Sequence, residues 1–310
     1  MTSKIKKLIH CNKLNIYNCK KNKQYEFNNI DTIYVIGDIH GDFNILLKTL
    51  KKANIIKGID NKNRYIWMAE NAHIVQLGDI LDKGGRGILG DAIALEEYTI
   101  FDYLNRLNIK ANKKGGAVHY LVGNHEIMNI MGDFNYAHPK HIDDTGIELR
   151  RQLFQPGGYM AKMLACHSYG ILKINDWYFC HAGLLPHHVK SKTIIEINDL
   201  LRDLMTNKKN IQQLSDEERK MIFGSDGFLW NRQYRFNDQS SCSLLSETMN
   251  NLNNPKGKMI VGHTPQKKIN SMCNSKLWFA DVGLSQAFGD SYNSYQILKI
   301  TNKEDVSLIS

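Results

Sequence analysis

Residues 32–42 read TIYVIGDIHGD: five residues suited to a strand, a glycine, then Asp38, His40 and Asp42 within five positions. A short β-branched and aromatic run bounded by glycine predicts a strand. The amphipathic stretch that follows, Phe43–Ala53, has helical spacing. The succession recurs at His73–Leu77 (HIVQL), followed by GDILDKGGRG (78–87) and a helical stretch from Ile88 to Asn108. It recurs again at Ala117–Val122 (AVHYLV), which leads into GNHE (123–126) and a short helical segment. Strand, polar loop and helix, three times over, predict an α/β fold with a mainly parallel sheet and helical crossovers.

Beyond this core, residues 158–165 read as a helix. Ile171–Ile174 and Trp177–Cys180 read as strands joined by an Asn175-Asp176 hairpin turn. Residues 190–257 carry helical patterns and polar loops, expected to form a helical insertion beside the site. Late strands are expected at Lys258–Val261, Leu277–Val282 and Tyr295–Ile300. Residues 1–29 are Lys/Asn-rich and weakly patterned, a loose extension or an added edge strand. One catalytic domain is expected over 30–310, with no internal repeat.

Hydrophobic residues make up 42% of the 310 and charged residues 23%, which excludes collagen-like, coiled-coil and wholly disordered chains. No apolar run approaches the ~20 residues of a membrane span, and the basic N-terminal stretch lacks the apolar core of a secretory signal. Net charge is +9. The Lys excess accompanies an Asn excess, as in an AT-rich coding sequence, and no motif interleaves aromatic and basic residues as a nucleic-acid groove would. A soluble protein is expected, without nucleic-acid or membrane partners and monomeric by default. The six cysteines (Cys11, Cys19, Cys166, Cys180, Cys242, Cys273) have no CxxC spacing and do not read as a disulfide framework. Cys166 and Cys180 sit in apolar runs and are expected as buried thiols, consistent with a reducing cytoplasm.

The chemistry lies where the polar residues fall. Asp38 and His40, Asp79, Asn124 and His125, His181, and His263 each follow a β-rich run. In an open α/β sheet the loops beyond the strand carboxyl ends converge on one crevice. Asp38, His40, Asp79, Asn124, His181 and His263 are candidate metal ligands, and a mixed carboxylate and imidazole set suits Mn, Fe or Zn better than Ca or Mg. Gly37, Gly78, Gly123 and Gly262 each precede a candidate ligand, where a turn exposes it and a Cβ would obstruct.

GDIHG (37–41), GDILDKG (78–84), GNHE (123–126), CHAG (180–183) and GHTP (262–265), in this order, resemble the calcineurin-like metallophosphoesterases. GNHE and the GDxxD element are similar to the PPP phosphoprotein phosphatases. GNHEIMNIMGDFNY (123–136), HAGLLPHHV (181–189), LWNR (229–232), GHTPQ (262–266) and WFADVGLS (278–285) resemble the Shewanella-like protein phosphatases. The resemblance covers roughly residues 30–300. It implies the metallophosphoesterase fold: central mixed sheets in a β-sandwich, flanked by helices on both sides, around a βαβαβ metal-binding core.

It also implies two divalent ions, Mn most readily. Asp38, His40 and Asp79 would hold one, and Asp79, Asn124, His181 and His263 the other, with Asp79 bridging. Such a pair lowers the pKa of a bridging water and neutralises charge on phosphorus, so that hydroxide attacks directly without a phosphoenzyme. His125 is the implied general acid and Asp82 the carboxylate that orients it. Pro265 stands where the nuclease branch carries a second histidine, which argues against a nuclease.

Phosphate oxygens call for Arg forks. The family's Arg after the second Asp of GDxxD is here Lys83, with Arg86 three residues on, so either could serve; Arg232 matches a second phosphate-binding Arg, and Asn124 would also face phosphate. Glu126 is expected to support its loop, and His187 and His188 to form a solvated helix start. His10, His73, His119, His138, His141 and His167 receive no role. The implied activity is a serine/threonine protein phosphatase, with a phosphotyrosine-selective variant, a dinucleoside polyphosphate hydrolase and a catalytically dead scaffold as alternatives.

Overall fold

The computed structural model describes residues 23–59, 65–88, 90–236, 239–289 and 295–310, so the reading of residues 1–22 lies outside it. Fourteen strands occur among the described residues. They are β1 (Glu26–Phe27), β2 (Thr32–Ile36), β3 (Ile56–Ile59), β4 (Tyr65–Trp67), β5 (Ala72–Gln76), β6 (Ala117–Leu121) and β7 (Ser168–Tyr169). The remainder are β8 (Ile171–Ile174), β9 (Trp177–Cys180), β10 (Lys258–Val261), β11 (Asn270–Met272), β12 (Leu277–Phe279), β13 (Ile297–Thr301) and β14 (Asp305–Ile309).

Two six-stranded mixed sheets form the centre, in the orders β14-β13-β2-β5-β6-β7 and β1-β8-β9-β10-β12-β11. In the first, β2, β5, β6 and β7 run parallel, as the repeated strand-loop-helix units require, while β13 and β14 add an antiparallel edge. In the second, β9, β10 and β12 run parallel, with an antiparallel neighbour on either side. The parallel strands of each sheet end on one side, and the loops leaving β2, β5 and β6 in the first and β9, β10 and β12 in the second carry the site. One hydrophobic cluster joins the sheets, including Ile33, Val35 and Ile74 from the first and Leu172, Phe179 and Ile260 from the second.

The sequence and the structure part at several places. The helix expected from Ile88 begins only at Glu96 and runs to Asn112. Gly85 and Gly87 adopt positive φ in the preceding loop, and Leu95 at φ 56° breaks the helical path just before the helix starts. β4, β7 and β11 span only two or three residues, β3 is interrupted by Gly58, and β14 (DVSLI) is largely exposed, so none stands out as an apolar run. Glu26–Phe27 is the added edge strand, parallel to β8. Asn175 turns the β8–β9 hairpin at φ 54°, as expected for the type of turn read there. The cysteine reading is corrected. Cys242 in the helix Gln239–Asn251 is disulfide-bonded to Cys273 in the β11–β12 turn, with Cα atoms 5.3 Å apart, and Cys166 is disulfide-bonded too. Only folding brings positions 31 residues apart together, so spacing could not report the pair. The ground for a reducing compartment lapses with it. Cys180 is a buried free thiol whose pKa burial pushes up to about 12. No helix of the described residues is long and apolar enough to cross a membrane.

His73 on β5 and His119 on β6 are buried with Nδ1 and Nε2 3.0 Å apart, and Phe27 packs on both rings. Burial lowers His73 from 6.5 to about 4 and holds His119 well below its ordinary value. Both are thus neutral when folded but protonate near pH 6.5 when unfolded, so stability present above that pH is lost as pH falls toward 4. Urea unfolding should show His73 alone costing about 2 kcal/mol between pH 7.5 and pH 5. His73→Leu should flatten that slope; an equally steep profile in the variant would contradict the assignment.

Candidate active site

Six loops meet at the shared end of the two sheets, following β2, β5, β6, β9, β10 and β12. They enclose a cleft of about 460 Å³ whose walls include His40, Asp79, Asn124, His125, His263 and Arg232. Most of the chemistry-bearing residues read from the sequence are thus brought together.

Asp79 is the centre of the cluster. Its Oδ2 lies 3.3 Å from His181 Nε2, 3.8 Å from His40 Nε2 and 3.9 Å from His125 Nε2, and its Oδ1 accepts the His125 backbone N–H at 3.0 Å. His40, Asp79 and His125 form one group able to hold a metal ion, and Asp79, His181 and His263 a second, each with ligand atoms within 4.8 Å of one another. Asp79 belongs to both groups. Asn124 Oδ1 reaches within 2.9 Å of His181 Nε2. Asp38 stands outside both groups: one oxygen accepts the His263 N–H at 2.9 Å, and the other is buried without a hydrogen-bond partner, 4.0 Å from His181 Nδ1.

The imidazoles are oriented from behind. His181 Nδ1 lies 2.8 Å from the Leu77 carbonyl, His40 Nδ1 3.2 Å from that of Leu81, and His263 Nε2 3.0 Å from that of Trp230. A ring nitrogen that donates to a carbonyl leaves the other with its lone pair free. Burial first, then Arg86 beside His40 and His181 beside His263, hold both rings below the ordinary imidazole value, His263 at about 3. Neutral rings are the ligating form.

The carboxylates are less comfortable. Burial and the charges of Asp281 and Asp79 push Asp38 well above the carboxylate range, and burial pushes Asp281 up to about 6. Asp281 Oδ2, like Asp38 Oδ1, is a buried oxygen without a partner. Buried carboxyl oxygens left without a donor, beside the neutral rings of His40 and His263, are what divalent cations relieve, so the residues present fit a metal centre. Asp281 was not among the residues singled out, although it carries the same signal as Asp38, an aspartate two positions after a strand.

Left-handed backbone aims the side chains: φ is 42° at His40, 48° at Asp79, 72° at Asp82 and 64° at His263. Such values in non-glycine residues are strained and collect at functional sites. Gly123 serves close approach rather than a turn, because a Cβ there would meet Asp79 Oδ1 at 2.1 Å. Glu126 ties two loops: its carboxylate accepts the N–H groups of Gly123, Asp79, Ile80 and Leu81 at 2.7–3.0 Å.

His125 Nδ1 lies 2.8 Å from Asp82 Oδ2. Burial alone would lower this imidazole, but the Asp79 charge and the Asp82 hydrogen bond outweigh it and its pKa is raised. The structure brings Arg86, and not Lys83, into the cleft. Lys83 is buried against Asp42 at 3.1 Å and Glu96 at 3.4 Å. Arg86 Nη1 donates to the Asp82 and Gly84 carbonyls, and its Nη2 lies 3.0 Å from His40 Nδ1 and 3.2 Å from His125 Nε2. Arg232 Nη1 donates to the His263 carbonyl and to Thr264 Oγ1. His188 is buried, not solvated: its Nδ1 accepts the Leu185 N–H, capping the helix it was expected to begin. His187 is the exposed member of that pair.

The family model of the calcineurin-like phosphoesterases matches residues 32–308. The chain is 30% identical over 277 residues to Shewanella-like protein phosphatase 1 of Plasmodium berghei, spanning 85% of this chain and 70% of that protein. It is 26% identical to Shewanella-like protein phosphatase 2 of Arabidopsis thaliana, over 93% of this chain and 79% of the relative. Among solved structures, the cold-active protein-tyrosine phosphatase of a psychrophilic Shewanella superposes with a TM-score of 0.74 at 24% identity, over 93% of this chain and 83% of that one.

Proposed function

The chain belongs to the calcineurin-like phosphoesterase family, and we propose that it is a metal-dependent protein phosphatase acting on phosphoserine and phosphothreonine. It is a phosphoester hydrolase, so a catalytically dead scaffold falls away. The observation that carries the serine/threonine reading is the buried pair of His125 and Asp82 at the wall of the metal-ligand cluster. An alkoxide leaving group needs a proton, and a raised imidazole braced by a carboxylate is suited to give one.

Asp38, His40, Asp79, Asn124, His181 and His263 would hold two divalent ions. Bound there, the ions, proposed as Mn²⁺ rather than Fe or Zn, supply Lewis acidity and a water acidic enough to act as nucleophile at neutral pH. Arg86 and Arg232 offer guanidinium N–H groups to phosphate oxygens, Arg86 in the place the sequence left open between itself and Lys83. Asp82 keeps the His125 Nδ1 proton in place, so that Nε2 is the atom that hands its proton to the leaving oxygen. Tyr136, Trp230 and Phe288 give the cleft aromatic walls. That composition supports a second reading, phosphotyrosine as substrate.

The test is initial rates with and without added Mn²⁺ on phosphoserine, phosphothreonine and phosphotyrosine peptides and a dinucleoside tetraphosphate. Metal-dependent turnover of the first two, with His125→Asn losing roughly 10²–10⁴-fold in kcat on them, is the expected result. A ten-fold preference for the tyrosine peptide would replace serine/threonine by the second reading, and a preference for the nucleotide would remove protein substrates altogether.

A further inference from the structure

Behind the His125–Asp82 pair lies a buried network that the chemistry above does not use. Arg150, in the helix Ile147–Phe154, is wholly buried, which an arginine tolerates only when its guanidinium is paired. Nη1 donates to Glu97 Oε2 at 2.7 Å and Nη2 to Asp82 Oδ1 at 3.3 Å, while Nε and Nη2 reach Asn129 Oδ1 at 2.9 and 2.7 Å. Asn129 passes the contact on. Its Nδ2 donates to Asp82 Oδ1 and Oδ2 at 3.0 and 2.9 Å and to the His125 carbonyl at 2.9 Å. Glu97 Oε1 accepts the Asp82 backbone N–H at 2.8 Å.

Charges alternate along the rest of the network. Glu97 faces His141 at 3.5 Å, His141 faces Glu96 at 3.7 Å, Glu96 faces Lys83 at 3.4 Å and Lys83 faces Asp42 at 3.1 Å. Burial alone would lower His141, but Glu97 and Glu96 outweigh it and raise it to about 9. A carboxylate held by one bond can turn away from its imidazole; Asp82, gripped by Asn129 and Arg150, presents Oδ2 to His125 in one orientation.

We propose that Arg150 is a positioning residue for the general acid, fixing His125 through Asn129 and Asp82, and that Lys83 anchors the far end of the same ion network instead of binding phosphate. The proposal rests on the reading of His125 as the proton donor.

The experiment compares wild type, Arg150→Met and Arg150→Lys, all loaded with Mn²⁺, on p-nitrophenyl phosphate, phenyl phosphate and a phosphoserine peptide. Metal content per chain and the thermal midpoint are measured alongside. p-Nitrophenolate departs with little help from an acid, whereas phenolate and alkoxide need the proton. Arg150→Met should lose roughly 10²-fold in kcat on phenyl phosphate and the peptide but less than about 10-fold on p-nitrophenyl phosphate. KM and metal content should hold, and Arg150→Lys should recover part of the loss. An equal loss on all three substrates marks a merely structural residue and overturns the proposal, as does an undiminished kcat on phenyl phosphate. The two aryl esters need no protein substrate, so a wild type inactive on the peptide would sink the substrate reading and leave this comparison readable. Should Arg150→Met fail to fold, Asn129→Ala removes the bridge while leaving Arg150 paired with Glu97, and the same leaving-group contrast decides.

Discussion

Asp79→Asn is expected to lose roughly 10³-fold or more in kcat, at least 4 kcal/mol of transition-state stabilisation. Asp79 is the residue common to both groups of candidate metal ligands, with three imidazole nitrogens within 3.9 Å of one of its oxygens. Asparagine keeps the shape, and its side chain retains one carbonyl oxygen. It loses the negative charge that offsets two dications, and it places an amide N–H₂ where one carboxylate oxygen stood. Metal content should therefore fall below that of the wild type. A second measurement does not depend on turnover. Added Mn²⁺ should raise the thermal midpoint of the chelator-treated wild type by mass action, and should raise that of the variant little or not at all. A variant that kept its metal, its metal-dependent stabilisation and its rate would remove Asp79 from the bridging position.

Glu126→Gln is expected to destabilise the protein by about 2–6 kcal/mol, although the two side chains are nearly isosteric. Each carboxylate oxygen accepts two backbone N–H groups: Oε1 those of Ile80 and Leu81, Oε2 those of Asp79 and Gly123. A glutamine amide has one acceptor oxygen. Whichever way it is turned, two buried N–H groups then face an N–H₂ donor, at about 1–3 kcal/mol each. The damage falls on the segment carrying Asp79, so kcat should also drop by roughly 10–100-fold. Denaturant unfolding checks the first part and peptide hydrolysis the second. Stability within about 0.5 kcal/mol of wild type would mean that the loops hold without this carboxylate.

Much of the site was legible because each of its residues sits at the same kind of place. Asp38, Asp79, Asn124, His181 and His263 follow directly or almost directly on strands, so a local pattern repeated five times reported a convergence that is not local. Asp281 follows the same rule and was passed over, because the strand expected over Leu277–Val282 runs through it, whereas the strand ends at Phe279 and leaves Asp281 on the loop. Arg150 could not have been found this way. It lies on a polar helix among exposed neighbours, 68 positions from Asp82, and nothing in IELRRQLF distinguishes the buried arginine from Arg151 beside it, which is exposed. Lys83 shows the opposite failure. Its sequence position pointed to phosphate, and the carboxylates of Asp42 and Glu96 turned it inward.

The amino-acid sequence by itself determined the alternation of strands and helices and the strand-end placement of the candidate ligands, since periodicity and glycine punctuation are properties of neighbouring residues, and its ordered motifs carried the family resemblance. The tertiary structure alone decided which cation faces the cleft, which carboxylates remain unsatisfied, and how the Cys242–Cys273 pair closes. Those outcomes depend on the burial and pairing of charges from distant segments. The free energy of a buried charge is set by the partners that surround it in space, not by its neighbours along the chain.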